Sequence, residues 1–85
     1  MYHVYILHSL RRNYIYVGLT NNVDRRVSQH QDGKARTTAP YSPFRLIHVE
    51  DFITRFEARQ REKYLKSGIG KEWIKGVLLR SSVDN

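Results

Sequence analysis

Five side chains between residues 5 and 62 carry groups that together could do chemistry: Tyr5, Tyr16, Arg26, His30 and Glu62. Two phenols, a guanidinium, an imidazole and a carboxylate able to hold a metal would suffice, in principle, for phosphodiester hydrolysis. Such a reaction needs an acceptor for the proton of water, a fixed cation for charge growing on the phosphoryl group, and an anchor for a hard divalent ion. The tyrosines sit in Val4–Tyr5–Ile6 and Tyr16–Val17–Gly18. Arg26 and His30 are four apart, so on a helix they stack along one face, bordering the apolar stripe begun by Val23 and Val27. Taken alone, that pair reads as a solvated arginine beside a partly buried histidine. Glu62 is more telling, because Ala58, Glu62 and Leu65 fall at i, i+4 and i+7 and place a carboxylate inside an apolar stripe. A carboxylate there is costly unless it meets a cation, a metal ion or hydrogen-bond donors. Arg26 or a divalent ion would answer that need; the plainer alternative is an intrahelical pair with Lys66.

These residues must be positioned by a small set of elements. Tyr2 to His8 and Tyr14 to Leu19 are rich in β-branched and aromatic residues and read as a hairpin. A loop of Ser9 to Arg12 sets His8 opposite Asn13 and Tyr5 opposite Tyr16, on one side of the sheet. A one-residue slip would separate them. Asn21 or Asn22 caps a helix to about Gln31, and Gly33 suits a left-handed stop. The two prolines and small polar residues of 33–43 predict a loop, and Phe44 to Phe52 a third strand. Thr54–Arg55–Phe56–Glu57 is a capping box for a second helix, with Ile53 and Ala58 as its hydrophobic staple, and it stops near Ser67–Gly68. A last helix from about Lys71 to Arg80 presents Trp73, Ile74, Val77 and Leu78 to the core, and 81–85 form a frayed tail. The order β-β-α-β-α-α predicts a single domain over 1–85, of α+β class, with a small, mainly antiparallel three-stranded sheet beside helices.

The five residues, in this order and spacing, resemble the GIY-YIG nuclease superfamily, in its small stand-alone bacterial type, similar to the N-terminal domain of the bacterial repair excinuclease. The resemblance runs from Tyr2 through Leu65 and implies the same three-stranded fold. Tyr5 matches the tyrosine of the first motif and Tyr16 that of the second. Arg26, eight residues after Gly18, matches the catalytic arginine, with His30 four further on. Glu62, in Arg61–Glu62–Lys63, matches the acid that holds a divalent metal, Mg²⁺ or Mn²⁺. Val4 and His3 replace the isoleucine and glycine of the first motif, and neither position supplies a reacting group. By the same analogy Tyr5 takes a proton from the attacking water. On the residues alone, Tyr5, Tyr16 and His30 remain equal candidates for that base.

Fifteen Lys and Arg against eight Asp and Glu give a net charge of +7 on 85 residues. So basic a chain favours a polyanionic partner, nucleic acid before membrane surface. Lys34, Arg36, Arg45, Arg59, Lys63 and Lys71 are candidate phosphate contacts. With 40% apolar residues the chain supports one core, and without cysteine it has neither disulfides nor a thiolate zinc site. No apolar run approaches a membrane span and no signal-peptide pattern precedes the first strand, so a cytoplasmic protein is expected. His3, His8 and His48 lack metal-ligand spacing, and Trp73 reads as core filler. The expectation is a metal-dependent endonuclease acting on DNA, in repair or recombination, with a protein partner supplying specificity. The alternatives are a non-catalytic nucleic-acid-binding module and an RNA-directed nuclease.

Overall fold

The computed structural model describes residues 1–79. Strands β1 (Tyr2–Ser9), β2 (Ile15–Thr20) and β3 (Phe44–Phe52) form one antiparallel sheet in the order β2-β1-β3. Helix α1 (Val23–Gln31) follows β2, a short 3₁₀ turn (Ala39–Tyr41) interrupts the loop, and α2 (Arg55–Lys66) follows β3. Helix α3 (Gly68–Trp73) starts earlier than the expected Lys71 and runs into wider π-type turns over Ile74–Leu79. The expected helix end at Arg80 and the tail of 81–85 lie outside the described residues.

Because β1 is the middle strand, both of its faces are covered: Val4, Tyr5, Ile6 and Leu7 are each at most 1% exposed. The pleat splits them. Val4 and Ile6 pack with Val17, Ala58, Leu65 and Ile74 beneath α2 and α3. Tyr5 and Leu7 pack with Phe44, Tyr16 and Val27 beneath α1. The single core expected from composition is therefore two clusters divided by the sheet. Val77 is left exposed, so the last helical segment contributes Ile74 and Leu78 to the interior but not Val77.

The hairpin register differs from the four-residue loop. Here His8 pairs with Ile15, Leu7 with Tyr16 and Tyr5 with Gly18. Ser9 causes the difference: its Oγ accepts from the amides of Arg11 and Arg12, each at 3.1 Å, and donates to the Tyr41 carbonyl at 2.6 Å. The turn so organised closes at Tyr14, whose ring stacks on Tyr41 at 3.8 Å. The sum of paired residue numbers moves by two, and a shift of two keeps every side chain on its face.

Asn22 caps α1 by accepting from the Arg25 amide, and Gly33 follows the helix at φ 72°. Gln31 ties the end of α1 to β3, donating to the Phe44 carbonyl at 2.6 Å and accepting from its amide at 2.7 Å. That pair of bonds fixes the helix over the sheet and turns His30 inward. Thr54 caps α2 through the Glu57 amide, but Ile53 is 81% exposed and the hydrophobic staple does not form.

Candidate active site

Tyr5 and Tyr16 lie diagonally across the β1–β2 pair on the α1 side, with ring centroids 6.1 Å apart. The phenol of Tyr5 crosses above Gly18: a Cβ on that glycine would stand 2.5 Å from the Tyr5 oxygen and 2.8 Å from the Tyr16 ring. Only a residue without a side chain leaves this path open. From α1, His30 reaches down, fully buried, and its Nε2 lies 2.9 Å from the Tyr5 oxygen. Its Nδ1 lies 2.7 Å from Oγ1 of Thr38, a buried residue of the following loop.

The network sets the direction of these bonds. The Thr38 hydroxyl donates to the Ala35 carbonyl at 3.4 Å, so its oxygen accepts from His30 Nδ1–H. Nε2 is then bare and accepts from the Tyr5 hydroxyl. Tyr16, half-buried with its ring centroid 6.1 Å from that of Tyr5, and Arg26, one turn before His30, both act on the same phenol. Arg26 is steadied by donating to Gln29 Oε1 at 2.8 Å.

Burial pushes the Tyr5 hydroxyl well above the ordinary phenol range, Tyr16 adds to this, and Arg26 opposes it. Burial, with the Arg26 charge, lowers His30 from 6.5 to about 4. The imidazole is therefore neutral at neutral pH, with an open acceptor facing Tyr5. A consequence follows for stability. The unfolded chain binds a proton at this position below 6.5 and the folded one only below about 4, so stability is full above 6.5 and falls as pH drops through this window. The bound on the loss is about 3 kcal/mol. His8, also lowered by burial, adds in the same direction. Urea denaturation between neutral pH and pH 4.5 should show this slope; equal midpoints across the range would contradict the buried neutral imidazole.

Glu62 is placed differently. Helix α2 packs on β1 and β2 from the opposite face, so the sheet stands between Glu62 and the cluster under α1. The carboxylate is 6% exposed, as the apolar stripe requires, and Arg26 does not pair with it. Arg59 Nη1 holds one oxygen at 2.6 Å and Lys66 Nζ the other at 3.0 Å. Burial alone would raise its pKa, but the bonds from Arg59 and Lys66 outweigh that and hold it below the ordinary carboxylate range. Four of the five residues thus form one cluster, and Glu62 lies with α2 on the other face of the sheet.

Comparison with known proteins decides the family. The GIY-YIG catalytic domain matches residues 1–73. The chain belongs to the GIY-YIG family of nuclease domains. A UPF0213 protein of Bacillus licheniformis is 40% identical over 65 residues, covering 75% of this chain and 67% of that one. A UPF0213 protein of Natronomonas pharaonis is 40% identical over 67 residues and 78% of each chain. The solution NMR structure of a UPF0213 protein from Bacillus halodurans superposes with a TM-score of 0.55 at 36% identity, covering 91% of this chain and 85% of that one. Among the described residues no helix is long and apolar enough to cross a membrane.

Within the GIY-YIG framework, further residues support these five, and of them only Thr38 was not singled out in the sequence. Thr38 fixes the His30 tautomer, but it lies in a loop whose path no local signal foretells. The glycine of the second motif is a channel for the Tyr5 phenol. Arg59, one of several surface cations in the sequence, is committed to Glu62. Two of the remaining histidines have local roles, His3 bonding Asp51 at 2.7 Å and His48 bonding Glu50 at 2.8 Å, whereas His8 Nδ1 is buried with no hydrogen-bond partner among the described residues. Trp73 is half-buried beneath the Arg61 guanidinium, which also grips Glu50 through two bonds.

The residues present fit a hydrated divalent ion. Among the described residues no three acids or histidines gather to enclose a metal, but Mg²⁺ keeps most of its waters and accepts one or two carboxylates. Glu62 offers one ionised carboxylate whose two cationic partners are each about half exposed and can move aside.

Proposed function

We propose that this protein is a divalent-metal-dependent endonuclease that hydrolyses DNA phosphodiesters at the open edge of β2. The observation that carries the reading is the hydrogen-bonded chain Tyr5, His30, Thr38, with Tyr16 packed against Tyr5 and Arg26 beside it. Tyr5 is 1% exposed, so water does not reach it directly, and the half-buried Tyr16 is the phenol that meets solvent. This geometry favours Tyr16 over Tyr5 as the group beside the attacking water. As the water oxygen bonds to phosphorus, the bond from phosphorus to the leaving oxygen breaks. The water proton passes to Tyr16, the Tyr16 proton to Tyr5 and the Tyr5 proton to His30 Nε2, while the leaving oxygen takes a proton from solvent. Burial is the larger cause of the low His30 value; a phosphate on Arg26 offsets the smaller contribution of that charge, and so makes the imidazole a better acceptor in the complex. Arg26 holds the nonbridging oxygens as their charge grows. Glu62, from the other face of β2, would hold Mg²⁺ or Mn²⁺, which supplies charge stabilisation at the phosphoryl and leaving oxygens.

A second reading has its own observation. Both oxygens of Glu62 are satisfied by Arg59 and Lys66, as in a purely structural carboxylate, which suits a module that binds nucleic acid without cutting it. Purified protein, incubated with plasmid DNA, branched DNA and RNA in Mg²⁺, Mn²⁺ or chelator, separates the two. Metal-dependent nicking of DNA supports the endonuclease; binding with no cleavage in either metal rejects it in favour of the module.

A further inference from the structure

Strand β2 is an edge strand, and its start opens on a depression of about 200 Å³ lined by Asn13, Tyr14, Ile15, Lys71 and Lys75. Lys71, on α3, and Lys75, on the π-type turns that follow, both line it. Both are exposed, and among the described residues neither belongs to an ion pair. Glu72 between them does not line the depression. The Tyr14 ring is stacked at 3.8 Å and 8° on Tyr41, so one of its faces is not free to take a base. What the depression offers is two point charges and the amide of Asn13, which suits a phosphate oxygen better than a nucleobase.

The position matters as much as the composition. From Tyr16 back past the start of β2 to Asn13–Tyr14 is two to three residues, at most about 7–10 Å. Adjacent phosphates of one strand stand farther apart than their axial rise of about 3.4 Å, so this span is that of roughly one to two nucleotides. We infer that Asn13, Lys71 and Lys75 form a second phosphate-binding subsite, which holds the nucleic-acid backbone one or two nucleotides from the scissile bond and aligns it along the β2 edge. This rests on the endonuclease reading for its register, but not for its anion chemistry.

Lys71→Gln and Lys75→Gln remove charge without apolar volume, and circular dichroism checks the fold. With a short DNA duplex as probe, each should weaken binding several-fold, and the pair about tenfold, while the dependence of log affinity on log salt becomes shallower by about one for each lysine. Arg55→Gln makes an equal charge change near the opposite end of the sheet and should leave affinity and slope close to wild type. If the lysine variants match wild type, or only match Arg55→Gln, the subsite is overturned while cleavage by wild type keeps the nuclease reading intact. If wild type neither binds nor cuts DNA, the nuclease reading falls. Inorganic phosphate titrated into the protein, followed by NMR at the amides of Asn13, Lys71 and Lys75, then decides the subsite alone: localised shifts retain it, and none removes it.

Discussion

Glu62→Gln is expected to lower metal-dependent cleavage by at least about 100-fold while leaving the protein folded and DNA binding intact or slightly tighter. The substitution keeps the shape of the side chain and removes the charge on which a hard cation depends. Arg59 and Lys66 lose their anionic partner, but both are about half exposed, so they rehydrate or turn to phosphate instead of being stranded. Arg26→Ala should stop cleavage by a different route, through loss of about 3 kcal/mol of fixed positive charge beside the reacting phosphate. It should also weaken DNA binding a little. Circular dichroism, a DNA titration and a Mg²⁺ or Mn²⁺ assay on the same preparations make the comparison. If Glu62→Gln unfolds easily but cuts normally per folded molecule, Glu62 is structural and the metal assignment is wrong. If both folded variants cut as fast as wild type, activity resides elsewhere.

Gly18→Ala should damage folding and chemistry together. A methyl group at this position meets Tyr5 Cζ and its hydroxyl oxygen at 2.5 Å, and the buried tyrosine has no open side toward which to swing. Overpacking of this kind costs about 1–3 kcal/mol, and Gly18→Val should exceed it. The displaced phenol leaves His30 Nε2, so an acceptor inside the protein is orphaned and the path from Tyr16 is broken. Cleavage should fall about 100-fold, within the range for general acid–base groups. A double-mutant cycle identifies the cause. Tyr5→Leu removes the obstructing ring, so Tyr5→Leu with Gly18→Ala should be more stable than the sum of the single effects, yet inactive. Additive costs, or a Gly18→Ala protein with wild-type stability and rate, would show that the phenol does not depend on this gap.

The order of elements was legible in the chain because each carries its own local instruction. Asn22, Thr54, Ser67 and Gly33 punctuate the helices through their own backbone or side-chain geometry. The residues from Phe44 to Phe52 mark a strand that the structure reproduces end to end. The burial of Glu62 was also readable, since its place in the stripe depends only on helical period. Hairpin register was not, because the turn is set by a contact between Ser9 and Tyr41, 32 residues away. The placement of Tyr5 and Tyr16 on one face survived because the pleat repeats every two residues and the register moved by two.

By itself, then, the sequence determined the family, the elements and the chemical groups on offer, all of which depend on residue type and short-range spacing. Tertiary structure alone decided how those groups connect. It buried Tyr5, leaving Tyr16 toward solvent, and gave His30 its tautomer through a threonine in an irregular loop. It set Glu62 across the sheet from the other four and so away from Arg26, which left the carboxylate to Arg59 and to the Lys66 that helical spacing had already offered. The physical reason is that desolvation and hydrogen-bond direction depend on which surfaces meet when β1 becomes the middle strand. No short window of sequence contains both Tyr5 and His30, or both faces of the sheet.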